Sequence, residues 1–151
     1  TLFSVGMGTD IPTEGAPLPE GVYASTRYDP FIPDTPTNNA FRDNYYGTYD
    51  GLPTYNAEGA YRAVYLYKEA IEAVGTDADA IADYFAGLQT EGPVGEYSFS
   101  PTNQATVPGI WGQVSYSDEW GSNILDPVEQ YPGTPDAIVP LLEGSGLPAG
   151  V

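Results

Sequence analysis

The stretch Tyr55-Asn-Ala-Glu-Gly-Ala-Tyr-Arg-Ala-Val-Tyr-Leu-Tyr-Lys-Glu-Ala-Ile-Glu-Ala-Val-Gly75 decides the fold. Ala57, Ala60, Tyr61, Val64, Tyr67, Ile71 and Val74 recur at intervals of three and four, which lays one apolar stripe along a helix of about five turns. Arg62, Lys68, Glu69 and Glu72 fall largely off that stripe. Gly75 can take the left-handed conformation that ends a helix, and Thr76, Asp77 and Asp79 offer capping oxygens to the next one. A stripe this long needs a surface to cover, so the rest of the chain is expected to supply a sheet and a second helix.

Working outward towards the amino terminus, Asp50-Gly-Leu-Pro53 stops an earlier helix that can start at Thr37 or Asn38 and would turn Phe41, Tyr45 and Tyr49 to the core. Asp29-Pro, Ile32-Pro and Thr35-Pro forbid regular structure before it, making a stiff connector. Residues 21–28 read as a strand, residues 11–20 as a loop, and residues 1–5 as a short strand that breaks at Gly6-Met-Gly8. The polar pair Thr9-Asp10 then falls where an α/β sheet places ligand contacts, beyond the carboxyl end of a strand.

Towards the carboxyl terminus, Ile81, Tyr84, Phe85 and Leu88 mark a shorter helix over residues 79–88. Gly92-Pro-Val-Gly95 turns the chain into a strand in which Tyr97 and Phe99 alternate with Glu96 and Ser98. Residues 110–116 form another strand, 117–121 a hairpin turn, and 123–125 the returning strand. From Asp126 onward the composition is that of a Pro- and Gly-rich tail with one apolar patch at 137–142.

Composition bounds what such a fold can do. With 151 residues and 41% hydrophobic content the chain has the size of one domain. Its 21 acidic against 4 basic residues give a net charge of −17, which repels nucleic acid and anionic membrane. The acids are scattered rather than run together, so they read as a solvated shell, and with a single lysine they suggest life in high salt, where screening relieves the repulsion. The absence of cysteine and histidine removes disulfides, thiol chemistry, the commonest general base and the commonest metal ligand. Asp118-Glu119 and Asp77 with Asp79 are the close carboxylate pairs, and they read as turn and cap chemistry rather than as a glycosidase pair. No loop alternates oxygen ligands as a calcium site does, and no cofactor or metal is expected.

The order of these pieces resembles a family. A strand breaking into glycines with Thr9-Asp10, the strand over 21–28, the helix start Thr35-Pro-Thr-Asn38, and Glu58-Gly-Ala-Tyr61 opening a helix that closes with Glu69-Ala-Ile-Glu-Ala-Val-Gly75 make the first half of the likeness. Gly92-Pro-Val-Gly95, Asn103-Gln-Ala-Thr106 and Gly112-Gln-Val114 make the second. Over residues 1–135 the chain is similar to the carboxy-terminal portion of the type I periplasmic solute-binding proteins of ABC importers, the group for branched-chain amino acids, urea and short amides.

That resemblance implies a partial α/β fold: pieces of three-layer α/β/α lobes with a mostly parallel sheet and antiparallel strands at the carboxyl end. Residues 1–28 would belong to one lobe, 29–116 to the other, and 117–151 to return strands and tail, with the chain crossing between lobes near Arg27-Tyr28-Asp29. The amino-terminal lobe would be absent, leaving apolar patches and sheet edges through which the piece self-associates. The implied role is extracytoplasmic, tethered through an amino-terminal anchor, with a small amino acid or amide-like solute and an ABC permease as partners and no catalysis. Thr9 or Asp10 matches the position that pairs with a solute amine, and Tyr55 with Asn56 matches the loop residues that cover the cleft. Tyr61, Tyr65, Trp111 and Trp120 read as packing or surface residues. The alternative is an acidic cell-surface domain that assembles through its sheet edges without any transport role.

Overall fold

The computed structural model describes residues 2–5, 17–19, 21–101 and 103–131, with side chains described for 17–19, 21–101 and 103–126. In chain order the elements are β1 (Leu2–Val5), β2 (Val22–Thr26), α1 (Pro36–Tyr49), α2 (Tyr55–Val74), α3 (Ala78–Phe85), β3 (Gln89–Gly92), β4 (Gly95–Phe99), β5 (Ala105–Thr106), β6 (Gly109–Ser117) and β7 (Ser122–Tyr131). They form two bodies. One is a sheet of order β1-β2-β6-β7; the other carries the three helices and a small sheet of order β3-β4-β5.

Each helix starts where a hydroxyl or carboxylate meets a free N–H. Thr35 accepts from the Asn38 N–H at 3.2 Å, Thr54 from Ala57 at 3.3 Å and Asp77 from Ala80 at 3.0 Å. Pro36 sits in the first turn of α1, where its missing N–H costs nothing. α3 ends at Phe85, short of the expected Leu88. Residues 89–92 are instead a strand that pairs antiparallel with β4 across Pro93-Val94, a turn too short for any other pairing.

The sheets are not mostly parallel as expected. Among the described strands only β1 and β2 are parallel, and every other pair is antiparallel. Parallel neighbours need a long crossover, whereas β6 returns as β7 through the tight turn at 118–121. β7 runs on to Tyr131, past the expected break at Asp126, because a bulge between Trp111 and Gly112 lets Pro127 sit opposite Gly112. Gly112 is required there: a Cβ would stand 2.6 Å from the Asp126 carbonyl oxygen.

The sheet body buries Val22, Ala24, Ile110, Val114 and Leu125. The helical body buries Tyr28, Phe41, Leu66, Val94 and Tyr97. Most of the expected stripe on α2 does not face this second core, although the Tyr61 ring reaches Phe41 and the Tyr67 ring reaches Phe85. Tyr61, Val64, Tyr67, Ile71 and Val74 are exposed, and the buried row is Glu58, Leu66 and Ala70, with Arg62 half-buried between them. The two rows lie on different sides of one helix, and α1 with β4 covers the row at spacing four.

Candidate functional site

The two bodies are joined where β2 leaves its sheet, and the polar residues gathered there are buried. The Thr26 hydroxyl donates to the Tyr28 carbonyl at 2.9 Å, and the Tyr28 hydroxyl donates to Asn38 Oδ1 at 3.0 Å. The Asn38 amide then donates to the Pro33 carbonyl at 3.0 Å and to the Asp29 and Pro30 carbonyls at 3.3 Å each. One side chain with 0% exposure thus ties together three carbonyls of a proline-rich segment that has few N–H groups of its own. Asp29 Oδ1 accepts from the Phe31 N–H at 2.8 Å, and its carboxyl also receives the backbone N–H of Leu125 in β7. Burial pushes Asp29 up to about 6, against the pull of those two N–H bonds. Burial, with Asp29 and Glu58 nearby, pushes the Tyr28 phenol well above its ordinary range.

A second buried charge lies one layer away. Glu58, in the first turn of α2, accepts from Arg62 Nε at 3.0 Å, and the guanidinium lies 4.7 Å from the Tyr97 ring centre. Burial raises the Glu58 carboxyl, while Arg62 pulls it back. Burial also lifts Tyr97 to about 12. As an exposed first-turn acid Glu58 would need only the helix dipole; its 1% exposure makes the ion pair obligatory.

Of the residues expected at a ligand site, Tyr55 and Asn56 open α2 and face different ways. Tyr55 packs half-buried against the core of the helical body, and Asn56 is exposed. Thr9 and Asp10 lie outside the described residues. A groove of about 610 Å³ between α2, α3 and β4 is lined by Leu66, Tyr67, Ile81, Phe85 and Phe99, with Asn103 at its rim. Its apolar wall continues the exposed stripe of α2 and offers little to a polar solute. Among the described residues, no group of three or more carboxylates converges as a metal site requires, and no helix is long and apolar enough to cross a membrane.

Known proteins share this fold. The family described as periplasmic binding protein matches residues 1–119. This chain belongs to that family. Its fold is a partial type I periplasmic-binding-protein fold, and the solved structures it resembles are solute-binding proteins of ABC transporters. A solute-binding protein of an ABC transporter from Rhodopseudomonas palustris, solved with p-hydroxybenzoic acid, is 27% identical with a TM-score of 0.65, over 78% of this chain and 32% of that one. The leucine-, isoleucine-, valine-, threonine- and alanine-binding protein from Brucella ovis, in a closed conformation, is 25% identical with a TM-score of 0.63 over the same shares. A second Rhodopseudomonas palustris protein, solved with 3,4-dihydroxybenzoic acid, shares the fold with a TM-score of 0.67 at 23% identity. The comparison with curated proteins gives no match. This periplasmic binding protein chain therefore spans about a third of the length of the solved structures it resembles.

Sequence reasoning marked Asn38 as a helix start and Asp29 as part of a crossing without the hydrogen bonds they make, and passed over the Glu58–Arg62 pair. That pair left a signal: residues 58, 62, 66 and 70 form a row at strict spacing four, with an acid and a base as consecutive members.

Proposed function

We propose that this chain is part of the solute-binding component of an ABC importer, working outside the membrane and passing a small polar solute to a permease, with no chemistry of its own. The observation that carries the reading is the family match over residues 1–119, together with two bodies joined by a buried polar connector. The cleft would lie between lobes to which this chain contributes pieces, beyond the carboxyl end of β1 and beside the start of α2.

Thr9, Asp10, Tyr55 and Asn56 are the side chains we assign to it. The related proteins were solved with hydroxybenzoates or are described as binding branched-chain amino acids, and both solutes carry a carboxylate. An aspartate at position 10 favours the amino acid, whose ammonium gives it a charge-assisted hydrogen bond worth about 1.5–3 kcal/mol. The Tyr55 ring would cover the apolar side chain, and Thr9 or Asn56 would donate to the carboxylate.

Calorimetric titration of the receptor containing this chain with leucine and with 4-hydroxybenzoate tests the reading. Leucine is expected to bind, and Asp10→Asn is expected to weaken it by roughly 10- to 100-fold. Equal affinity before and after that substitution, or binding of 4-hydroxybenzoate alone, would remove the assignment of Asp10 and the amino-acid solute with it.

A further inference from the structure

The sheet body and the helical body also touch away from the chain crossings. Trp120 lies in the turn joining β6 to β7, and its ring stands edge-on to that of Tyr46 in α1, with centroids 5.0 Å apart and planes at 89°. It also meets Phe31 of the connector at 5.5 Å. The Arg42 guanidinium lies over both Phe31 and Trp120, at 5.2 and 5.4 Å from the ring centres. That guanidinium is held from the α1 side: Nε donates to Asp43 at 2.8 Å, and Nη1 donates to Asn39 Oδ1 at 2.9 Å. Its plane is thereby fixed before Trp120 arrives, which reduces the ordering cost of the contact.

We propose that Phe31, Arg42, Tyr46 and Trp120 form a latch between the two bodies, with Trp120 as the part that engages and releases. Among the described residues the two bodies are linked covalently through the residues following β2 and those preceding β6, so a rotation about those crossings leaves each core intact. Such a rotation carries the hairpin turn away from α1 and must part Trp120 from Tyr46 and Arg42. The contacts suit a reversible device. They are side-chain contacts at the rim of both cores, and together they bias the ratio of engaged to released arrangements by about tenfold, enough to favour one without trapping it. Arginine suits the position better than lysine, because its delocalised charge can meet both rings while its N–H groups stay bonded to Asp43 and Asn39. For its functional meaning, control of cleft opening, the latch rests on the receptor reading; its existence does not.

The chain has no cysteine, so Ser115→Cys on β6 and Ala73→Cys on α2, both exposed, give spin labels at two sites only. Electron–electron distance measurements on the full chain then report how the bodies sit. With the latch intact one distance is expected to dominate. Trp120→Ala should raise a second distance by about tenfold relative to the first, and Tyr46→Ala and Arg42→Lys should shift it the same way by less. Unchanged distances in Trp120→Ala and in Tyr46→Ala would overturn the proposal. Should Trp120→Ala fail to fold, Tyr46→Ala and Arg42→Lys decide by the same criterion. Adding leucine or 4-hydroxybenzoate separates the two readings. Distances that respond to the substitutions while neither solute binds keep the latch and sink the receptor; binding with distances that ignore every substitution does the reverse.

Discussion

On one side of α2 lie Glu58, Arg62, Leu66 and Ala70, covered by α1 and β4; on the other lie Val64, Tyr67, Ile71 and Val74, open to solvent. Polarity alone would place them the other way round. Val64 is 67% exposed while Glu58 is 1% exposed, although a buried carboxylate costs several kcal/mol unless it is paired, of order 3–5 kcal/mol when its partner is lost. The covered side is therefore settled by fit. Arg62 neutralises Glu58 at 3.0 Å and then lies along the Tyr97 ring, so the charge enters the core already matched. The open side has no such constraint. Its apolar residues stand in water as one row.

The comparison is most sharply tested by removing the match. Arg62→Ala should cost about 3–5 kcal/mol in chemical denaturation, because Glu58 is left buried and alone. The loss should shrink on acidification: burial already raises the Glu58 carboxyl, and without Arg62 it rises further, so the folded variant takes up a proton before the unfolded chain does. A loss of less than about 1 kcal/mol, independent of pH, would mean that the pair is a surface contact. Next in size is Leu66→Ala, in the same row, at about 2–5 kcal/mol from lost burial and a residual cavity.

Why the covered side was illegible follows from these numbers. Hydropathy periodicity finds the row richest in apolar residues, and on α2 that is the open row; it has no means of seeing that an acid and a base four apart cancel and can be buried together. The cap at Asp77 and the turns at 50–53 and 118–121 were legible, since each depends on a few adjacent residues. The strand over 89–92 was not, because Gln89-Thr-Glu-Gly92 has no apolar alternation and exists through its partner β4. At the candidate site, Asn38 reads only as a residue near a helix start. Its grip on three carbonyls appears once the connector is folded around it.

Asp29 offers a buried carboxylate without a cation, against which the Glu58–Arg62 pair can be judged. Its value of about 6 in the folded chain stands above the ordinary 3.8, so the folded state holds this proton more tightly than the unfolded state. This group therefore adds stability at low pH and withdraws it as the pH rises from about 4 through about 6, by about 3 kcal/mol in all. Asp29→Asn keeps an oxygen for the Phe31 N–H and should flatten that dependence, narrowing the difference in unfolding free energy between pH 4.5 and 7.5 relative to the parent chain. An identical pH profile in the two proteins would mean that Asp29 is hydrated.

The smallest effects on stability belong to the open side. Val64→Ala and Ile71→Ala should each change the unfolding free energy by no more than about 0.5 kcal/mol, as surface positions do. Their larger consequence is expected elsewhere. An apolar row of four side chains in water, continuous with the groove walled by Ile81 and Phe85, is a surface that two copies can bury against each other. Ile71→Glu should therefore lower the association of this chain in sedimentation experiments while leaving its denaturation midpoint in place. High salt should act in the opposite direction, since a charge of −17 on each copy opposes their approach until it is screened. If Val64→Ala and Ile71→Ala instead cost as much as Leu66→Ala, the two sides of α2 would be equivalent, and the open row would be packed in solution against part of this same chain.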